Sequence, residues 1–490
     1  MKRTNERKHR ASVLLAFVVL AALLAALIPQ ATTAQAGNII HVNINAATGG
    51  DGASWGTAYK YLQDALAAAA DGDEIWVAKG TYYPDLDEGG NVTDNDRAAS
   101  FALKAGVSIY GGFAVGDTSR NQRDWDINLT VLSGAIGGSG SSFHVVTANA
   151  ISGTVTLDGF TITAGNANGP TTGGGGMRSI GTSNVELANI VFSGNQAAGT
   201  GGGLDLRSGN AVMNRVTFEN NISVNSGGGM FLGSSTGSVL TDVAFIGNEM
   251  TLDLPFFVGT GGGGLGVRDS NPTLTNVSFI GNTGANGGGG GLFMDRSNGT
   301  ITNALFLGNL AAKEVTPNPP FIQGGGGLYL YRGSSPALTN ATFAGNYAID
   351  GGAIALSAAN IVASTARFSN TIMADNGCQG CADGSVSTSI FDFTAGQTGG
   401  TQIVFANSLV QGCGGSTSWD AACGFDVGGN IDTVPSFRQR PVGTAPNVSA
   451  DLRLNVGSPA IDVGLNSAAT YPTDNVGKPR IFNSTVDMGA

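Results

Sequence analysis

The chain has 490 residues, 78 of them glycine, with only 12% charged side chains and a formal net charge of −11. A chain this acidic and this poor in Lys and Arg excludes a nucleic-acid partner held by a basic face. Glycine runs well above the ordinary ~7%, yet it clusters at a fixed phase of a repeat, which excludes a disordered Gly-rich linker.

In chain order, the first element is an export signal over residues 1–36. Lys2, Arg3, Arg7, Lys8 and Arg10 form a basic n-region, Ala11–Ile28 an apolar run, and Ala34-Gln35-Ala36 a small-residue cleavage site. The pattern predicts cleavage before Gly37. The apolar run of 18 residues just reaches spanning length, so an uncleaved N-terminal anchor stays open. Removing five basic residues and Glu6 takes the charge from −11 to −15. The expected location is the cell surface or the extracellular space.

Residues 37–150 read as an N-terminal cap and first coils. Ile39 to Ile44 predicts a strand, and Gly49 to Trp55 a loop. A short helix is expected from Ala58 to Ala70, with Thr57 as cap and Tyr59, Leu62 and Leu66 on one face. Ile75-Trp-Val-Ala predicts the next strand. An open solenoid end exposes apolar coil and strand edges, and a helix laid across it is one way to close it.

Residues 151–376 repeat one unit. Phe and Asn pair three residues apart six times: Phe192/Asn195, Phe218/Asn221, Phe245/Asn248, Phe279/Asn282, Phe306/Asn309 and Phe343/Asn346. The spacings of 26, 27, 34, 27 and 37 residues mean stacked supersecondary units, none of which buries its apolar face alone. One column holds Leu187, Met213, Leu240, Leu274, Ile301 and Leu338. Two residues on lies a polar corner of Asn189, Arg215, Asp242, Asn276, Asn303 and Asn340. Asn tolerates left-handed backbone and bonds neighbouring backbone groups. After each glycine run comes a second strand with inward pairs such as Leu204/Leu206 and Met230/Leu232. Short strands broken at corners predict an all-β, parallel β-helix of seven or eight coils, about 35 Å long at ~4.8 Å per coil.

Gly351-Gly-Ala-Ile354 together with the Phe-x-x-Asn series resembles bacterial right-handed β-helix surface proteins, including the chlamydial polymorphic outer-membrane proteins. Residues 377–490 resemble a choice-of-anchor type Q ending, through Ser458-Pro-Ala-Ile-Asp462-Val-Gly464, Asp474, Gly477-Lys-Pro-Arg480 and Val486-Asp-Met-Gly489. The aromatic-Glu pair that follows in similar chains is absent, so no anchor is carried over. The resemblance implies a right-handed parallel β-helix and surface association or secretion, and no established activity.

The β-helix also serves pectate lyases and polygalacturonases, but fold alone confers no activity. The polygalacturonase Asn-Thr-Asp, Asp-Asp and His-Gly elements are absent, as are the lyase Trp-Ile-Asp-His and Arg-x-Pro-x-x-Arg motifs. Past the signal only His41 and His144 remain, and His144 in a strand-like run reads as structural. The glycine runs lack the Lys-Ser/Thr of a phosphate loop. No catalytic residue is assigned, and the chain reads as non-catalytic.

One pattern suggests a ligand. Arg178, Arg207, Arg268, Arg296 and Arg332 each follow a glycine run, with Phe231, Phe293 and Tyr329 on the outward position of the same strands. Arginines hold carboxylates bidentately and aromatic faces stack on sugar rings, so this set is a candidate face for an acidic glycan. The competing expectation pairs these arginines with Asp205, Asp269 and Asp295 as solvated surface pairs of little energetic weight. The function expected is an extended face for adhesion or acidic-glycan binding. The alternatives are a polysaccharide lyase or hydrolase and a passive envelope component. No cofactor is expected; Ca²⁺ stays open, although the Asp residues are scattered rather than convergent. Cys378, Cys381, Cys413 and Cys423 all follow the repeats. Export permits disulfides, with three pairings open; a zinc site is the alternative.

Overall fold

Each coil is built from the alternation read above. The computed structural model describes residues 37–490 except 91, 138–139, 252–260, 286–287, 312–323, 350, 358–364, 379–389 and 393–401. The export segment 1–36 and Cys381 therefore lie outside the described residues. Asn38–Ala490 forms one unit.

The strands stack in parallel into three sheets. In the coil around Phe218, Leu204–Arg207 belongs to a ten-stranded sheet, Asn210–Glu219 to a seventeen-stranded one, and Ile222–Ser223 to an eight-stranded one. The long strand bends in its middle at Arg215, with φ +54°. Every member of that corner column, Asn189, Arg215, Asp242, Asn276, Asn303 and Asn340, has φ between 52° and 56°. The long strand thus has two limbs on either side of the corner.

Inward residues fall like on like. The six phenylalanines from Phe192 to Phe343 stack with centroids 4.3–5.0 Å apart. The following asparagines are buried, and each Nδ2 donates to the Oδ1 of the next coil at 2.9–3.0 Å. Each also donates back to a carbonyl of the Phe column, as Asn248 does to Phe218 O at 2.8 Å, except Asn195, whose partner is Ile162 O at 2.9 Å. These asparagines do not themselves take left-handed backbone; the residue before each does, for example Gly194 and Asn220. The glycine runs close the coil. A Cβ on Gly202 would lie 2.5 Å from both Gly228 O and Ile222 O, so no side chain fits between these backbones.

The stack is longer than the repeats alone imply. Parallel pairing in the long sheet runs from Ile39–Val42 through thirteen rungs to Phe425–Gly428, about 58 Å at ~4.8 Å per rung. It crosses residues 150 and 376 without a break. The helix is shorter than expected, Leu62–Ala68, and no side chain caps it. Tyr59 instead pairs with the first strand, its N–H donating to His41 O and its carbonyl accepting from Asn43 N, both at 2.9 Å. That bridge keeps Tyr59 out of the helix, and a bend at residues 60–61 leads into it. Leu62, Ala65 and Leu66 still cover the first coil, and Lys104 Nζ donates to the carbonyls of Leu66 and Ala69 at the helix C-terminus.

At the other end the Phe stack finishes on Trp419, 5.8 Å from Phe405, in a loop closed by Cys413–Cys423. Cys378 is also disulfide-bonded, which removes the four-thiolate zinc alternative. Beyond the last coil, Phe437–Thr444 and Asn447–Leu454 form an antiparallel hairpin. The chain then returns along the long sheet: Asn303 Nδ2 donates to Thr473 O at 2.6 Å and Gly489 N to Asn370 O at 2.7 Å.

Candidate functional site: a cleft beside Trp125

The arginines read from the sequence do gather at one edge of the ten-stranded sheet, but in three rows. Arg178 shares a row with Asp205, Phe231, Gly266, Phe293 and Tyr329. Arg207 and Arg268 lie two residues on, in register with Asp295 and Tyr331. Arg296 and Arg332 occupy the corner beyond, with φ 48° and 42°.

The aromatic half of the expected glycan face is not available. Phe231, Phe293 and Tyr329 are 4%, 1% and 2% exposed. The glycine turns leave them that space: a Cβ on Gly261 would sit 2.9 Å from Phe293 Cγ. The arginines take the partners named as the alternative. Arg207 Nε donates to Asp205 at 2.8 Å, and Arg296 Nε and Nη2 to Asp269 at 2.6 and 2.8 Å. Asp295, fully buried, accepts from Arg268 at 3.2 Å, from Arg332 Nε at 2.8 Å and from Arg296 at 3.3 Å. Arg178 donates to Asn149 Oδ1 at 3.1 Å. Arg296–Asp269 is a solvated pair, exposed on both sides, whereas the Asp205 and Asp295 pairs are not, because those carboxylates are buried. Burial pushes the Asp205 carboxyl up while Arg207 pulls it down. Removing one member of such a group leaves an uncompensated buried charge.

His144 is structural in its contacts. Its Nδ1–H donates to Gly174 O at 2.8 Å, and Nε2 accepts from Thr171 Oγ1 at 2.5 Å. Burial holds the imidazole below its ordinary value.

A different place on the molecule has open, ligand-sized space. Loop 114–129 crosses the corner of the long sheet. Ser119 starts it with a capping box over Arg120–Gln122, and Asp124 N and Asn128 Nδ2 donate to Gly112 O at 2.8 and 3.2 Å. Gly112, at φ +88°, seats Trp125: a Cβ there would be 2.9 Å from Trp125 Cα. Arg123 is clamped to the buried Asp158 carboxylate, and its guanidinium lies 5.2 Å from the Tyr110 ring and 5.1 Å from the Trp125 ring. Arg120 stacks 4.7 Å over Tyr110, donates to its hydroxyl at 2.6 Å and pairs with Glu74 at 3.2 Å.

Two clefts open on either side of this loop. One, about 430 Å³, is lined by Tyr110, Arg120, Arg123, Glu186, Val212 and Asn214. The other, about 300 Å³, is lined by Trp125, Asp126, Thr161, Asn189, Arg215 and Thr217. Arg215 is exposed, with its guanidinium 5.2 Å from the Trp125 ring. Elsewhere in its column Asn and Asp bond one another, as Asn276 does to Asp242 at 3.0 Å and Asn303 to Asn276 at 2.9 Å, while Asn189 donates to Asp158 beside the column at 2.7 Å. Arg215 interrupts that ladder and, among the described residues, is in no ion pair. Asn189 Oδ1, buried beside it, has no donor. An aromatic ring, an unpaired guanidinium and hydroxyls around an open cleft suit a sugar that carries an anionic group.

Sequence reading missed this site. Trp125 and Arg215 are ninety residues apart, in a loop and a corner. The one available signal was an Arg in a column otherwise made of Asn and Asp.

No protein-family model matches the chain, and no curated protein matches it. Among solved structures, a pectate lyase is 13% identical over 93% of this chain and 96% of its own, with a TM-score of 0.46. A rhamnogalacturonan lyase is 12% identical over 86% and 97%, with a TM-score of 0.35. The catalytic unit of an α-1,3-glucanase from Streptomyces thermodiastaticus is 13% identical over 81% and 69%, with a TM-score of 0.29. The parallel β-helix rests on this chain's own strand pairing.

Proposed function

We propose that this is an exported, surface-associated or secreted protein that binds an acidic polysaccharide without cleaving it, at the cleft between Trp125 and Arg215. The observation that carries the reading is Arg215. It is a guanidinium with no ion pair among the described residues, turned over an indole in an open cleft, at a corner where the fold takes Asn or Asp on the other coils of the repeat. The arginines at 178, 207, 268, 296 and 332 are read as the ionic lacing of the ten-stranded sheet's edge, with Phe231, Phe293 and Tyr329 as its apolar filling.

The test is retention on a panel of acidic and neutral polysaccharides, polygalacturonate first, with new chain ends counted in the same incubation with and without Ca²⁺. Arg215→Asn keeps a residue that tolerates the left-handed corner, so it should fold like the parent and lose retention at least tenfold. Retention unchanged in the folded variant removes Arg215 from the site. Retention on neutral polymers alone removes the acidic ligand. New chain ends from the parent replace binding with a lyase or hydrolase reading. The triple variant Arg207→Ala, Arg268→Ala, Arg296→Ala should lower stability and leave retention intact.

A further inference from the structure

The cleft at Trp125 opens at one end onto a strip of the long sheet. On the second limb of each long strand, the residue just before the Phe column faces outward. In register, these residues are Thr161, Val191, Thr217, Ala244, Ser278, Leu305 and Thr342. From Val191 to Leu305 they are half-buried, whereas Thr342 is buried. That change marks where other parts of the chain meet the strip.

Trp125 stands at the first end, over Thr161, Val191 and Thr217. At the other end two returning segments flank the strip. On the polar-corner side, Asn303 Nδ2 donates to Thr473 O at 2.6 Å. On the glycine-corner side, the hairpin tip comes so close that a Cβ on Gly281 would be 2.8 Å from Pro446 O, and one on Gly308 2.7 Å from Val448 Cβ. The strip is then closed off: Ala490 N donates to Thr342 Oγ1 at 2.9 Å, and a Cβ on Gly489 would be 2.7 Å from the same oxygen. Between the two ends lie five rungs, Val191 to Leu305, about 19 Å at ~4.8 Å per rung. One rim is polar (Arg215, Asp242, Asn276); the other reads Ser193, Glu219, Ile246, Ile280 and Leu307 in register, polar on its first two rungs and apolar on the next three. The floor residues between them, Thr217, Ala244 and Ser278, are small.

We propose that the ligand is a linear polysaccharide lying along the coil axis in this trough, entering under Trp125, crossing Thr217, Ala244 and Ser278, and stopping at the Thr342 closure. This rests on the polysaccharide reading above and adds to it a direction, a length and a second wall made by residues 446–448 and 473–475. Beyond Glu219, a polar rim opposite an apolar one matches a sugar chain, which shows hydroxyls and carboxylates at its edges and C–H faces between them. The closure at Thr342 makes the trough blind at that end.

The test uses size-graded oligogalacturonides with the full chain, by calorimetry. Affinity should rise at least tenfold from the dimer to the tetramer or pentamer and then level off. Ser278→Trp fills the floor two rungs from Thr217 and should bring the pentamer's affinity down to the dimer's, leaving the dimer's unchanged. Ser278→Gln, a milder change at the same half-buried position, should give an intermediate loss if the indole disturbs folding. Dimer and pentamer binding equally tightly in the parent would overturn the trough while leaving the Trp125 cleft standing. A pentamer indifferent to both substitutions would overturn it as well. Failure of every oligomer to bind would instead sink the polysaccharide reading itself.

Discussion

At the scale of single residues, two columns rich in asparagine do different work. Asn248 in the inner ladder accepts from Asn221 N and Nδ2 and donates to Asn282 Oδ1 and Phe218 O, all at 2.8–3.0 Å and all buried. Asn248→Ala strands two buried donors on Asn221, at about 1–3 kcal/mol each, so a loss of about 3–5 kcal/mol is expected. Asn276 in the outer column is half-buried and sits at φ +53°. Asn276→Gly keeps that backbone open and should change stability by under about 1 kcal/mol. Guanidinium unfolding midpoints of the two variants check the contrast; equal losses would show that the columns are equivalent. Arg215 belongs to the outer column, at one of its exposed corners, where the backbone asks for a tolerable positive φ and burial does not constrain the side chain as it does at Asn303 and Asn340.

At the scale of elements, the ends of the coil stack show how a repeat is terminated. The loop from Cys413 to Cys423 places Trp419 on the last phenylalanine and is tied by a disulfide of sequence separation 10. Loop closure of that size contributes about 3 kcal/mol to stability. Replacing both cysteines by Ala should speed amide exchange in Gln402–Ala406 and Phe425–Gly428 and leave the coils around Phe245 unchanged; unchanged exchange at the end would show that the loop is held by packing alone. The glycine loop before Met177 depends on His144. Burial lowers this imidazole's folded pKa below its ordinary value near 6.5. Its contribution is therefore fully present above about pH 6.5 and is lost as pH falls through the lower folded value. Amide exchange across residues 171–176 should accelerate below that value, and His144→Gln should flatten the dependence.

At the scale of the whole molecule, the C-terminal segment decides which parts of the long sheet face solvent. Phe437, Ala460 and Met488 cover Ile372, Ala374 and Leu409 on the outside of the last coils. Met488 N donates to Ala460 O and Gly464 N to Val486 O, so the Ser458–Gly464 and Val486–Gly489 motifs join each other as they lie on the coil. Truncation after residue 436 would bare that apolar patch. Light scattering on the truncated chain should show self-association; a monomeric, unchanged product would mean the segment is dispensable to the coil.

The sequence by itself determined the repeating unit. A Phe and an Asn recurring every coil, a polar corner two residues past an inward position and a glycine run before each second strand admit one arrangement in which every apolar column is buried. It overreached at the helix, where apolar spacing from Ala58 onward was outweighed by backbone pairing of Tyr59 to the first strand. It also read Phe231, Phe293 and Tyr329 as outward, which the alternation does require, and therefore as available, which it does not. Period-two alternation states which face of its own sheet a residue takes and says nothing about which turn folds over that face. Only the tertiary structure decided that those rings are covered, that Arg207, Arg268, Arg296 and Arg332 share three aspartates, and that Trp125 and Arg215 meet across an open corner. The reason is range: strand periodicity is set within a few residues, whereas cover and clefts arise from contacts between segments far apart along the chain.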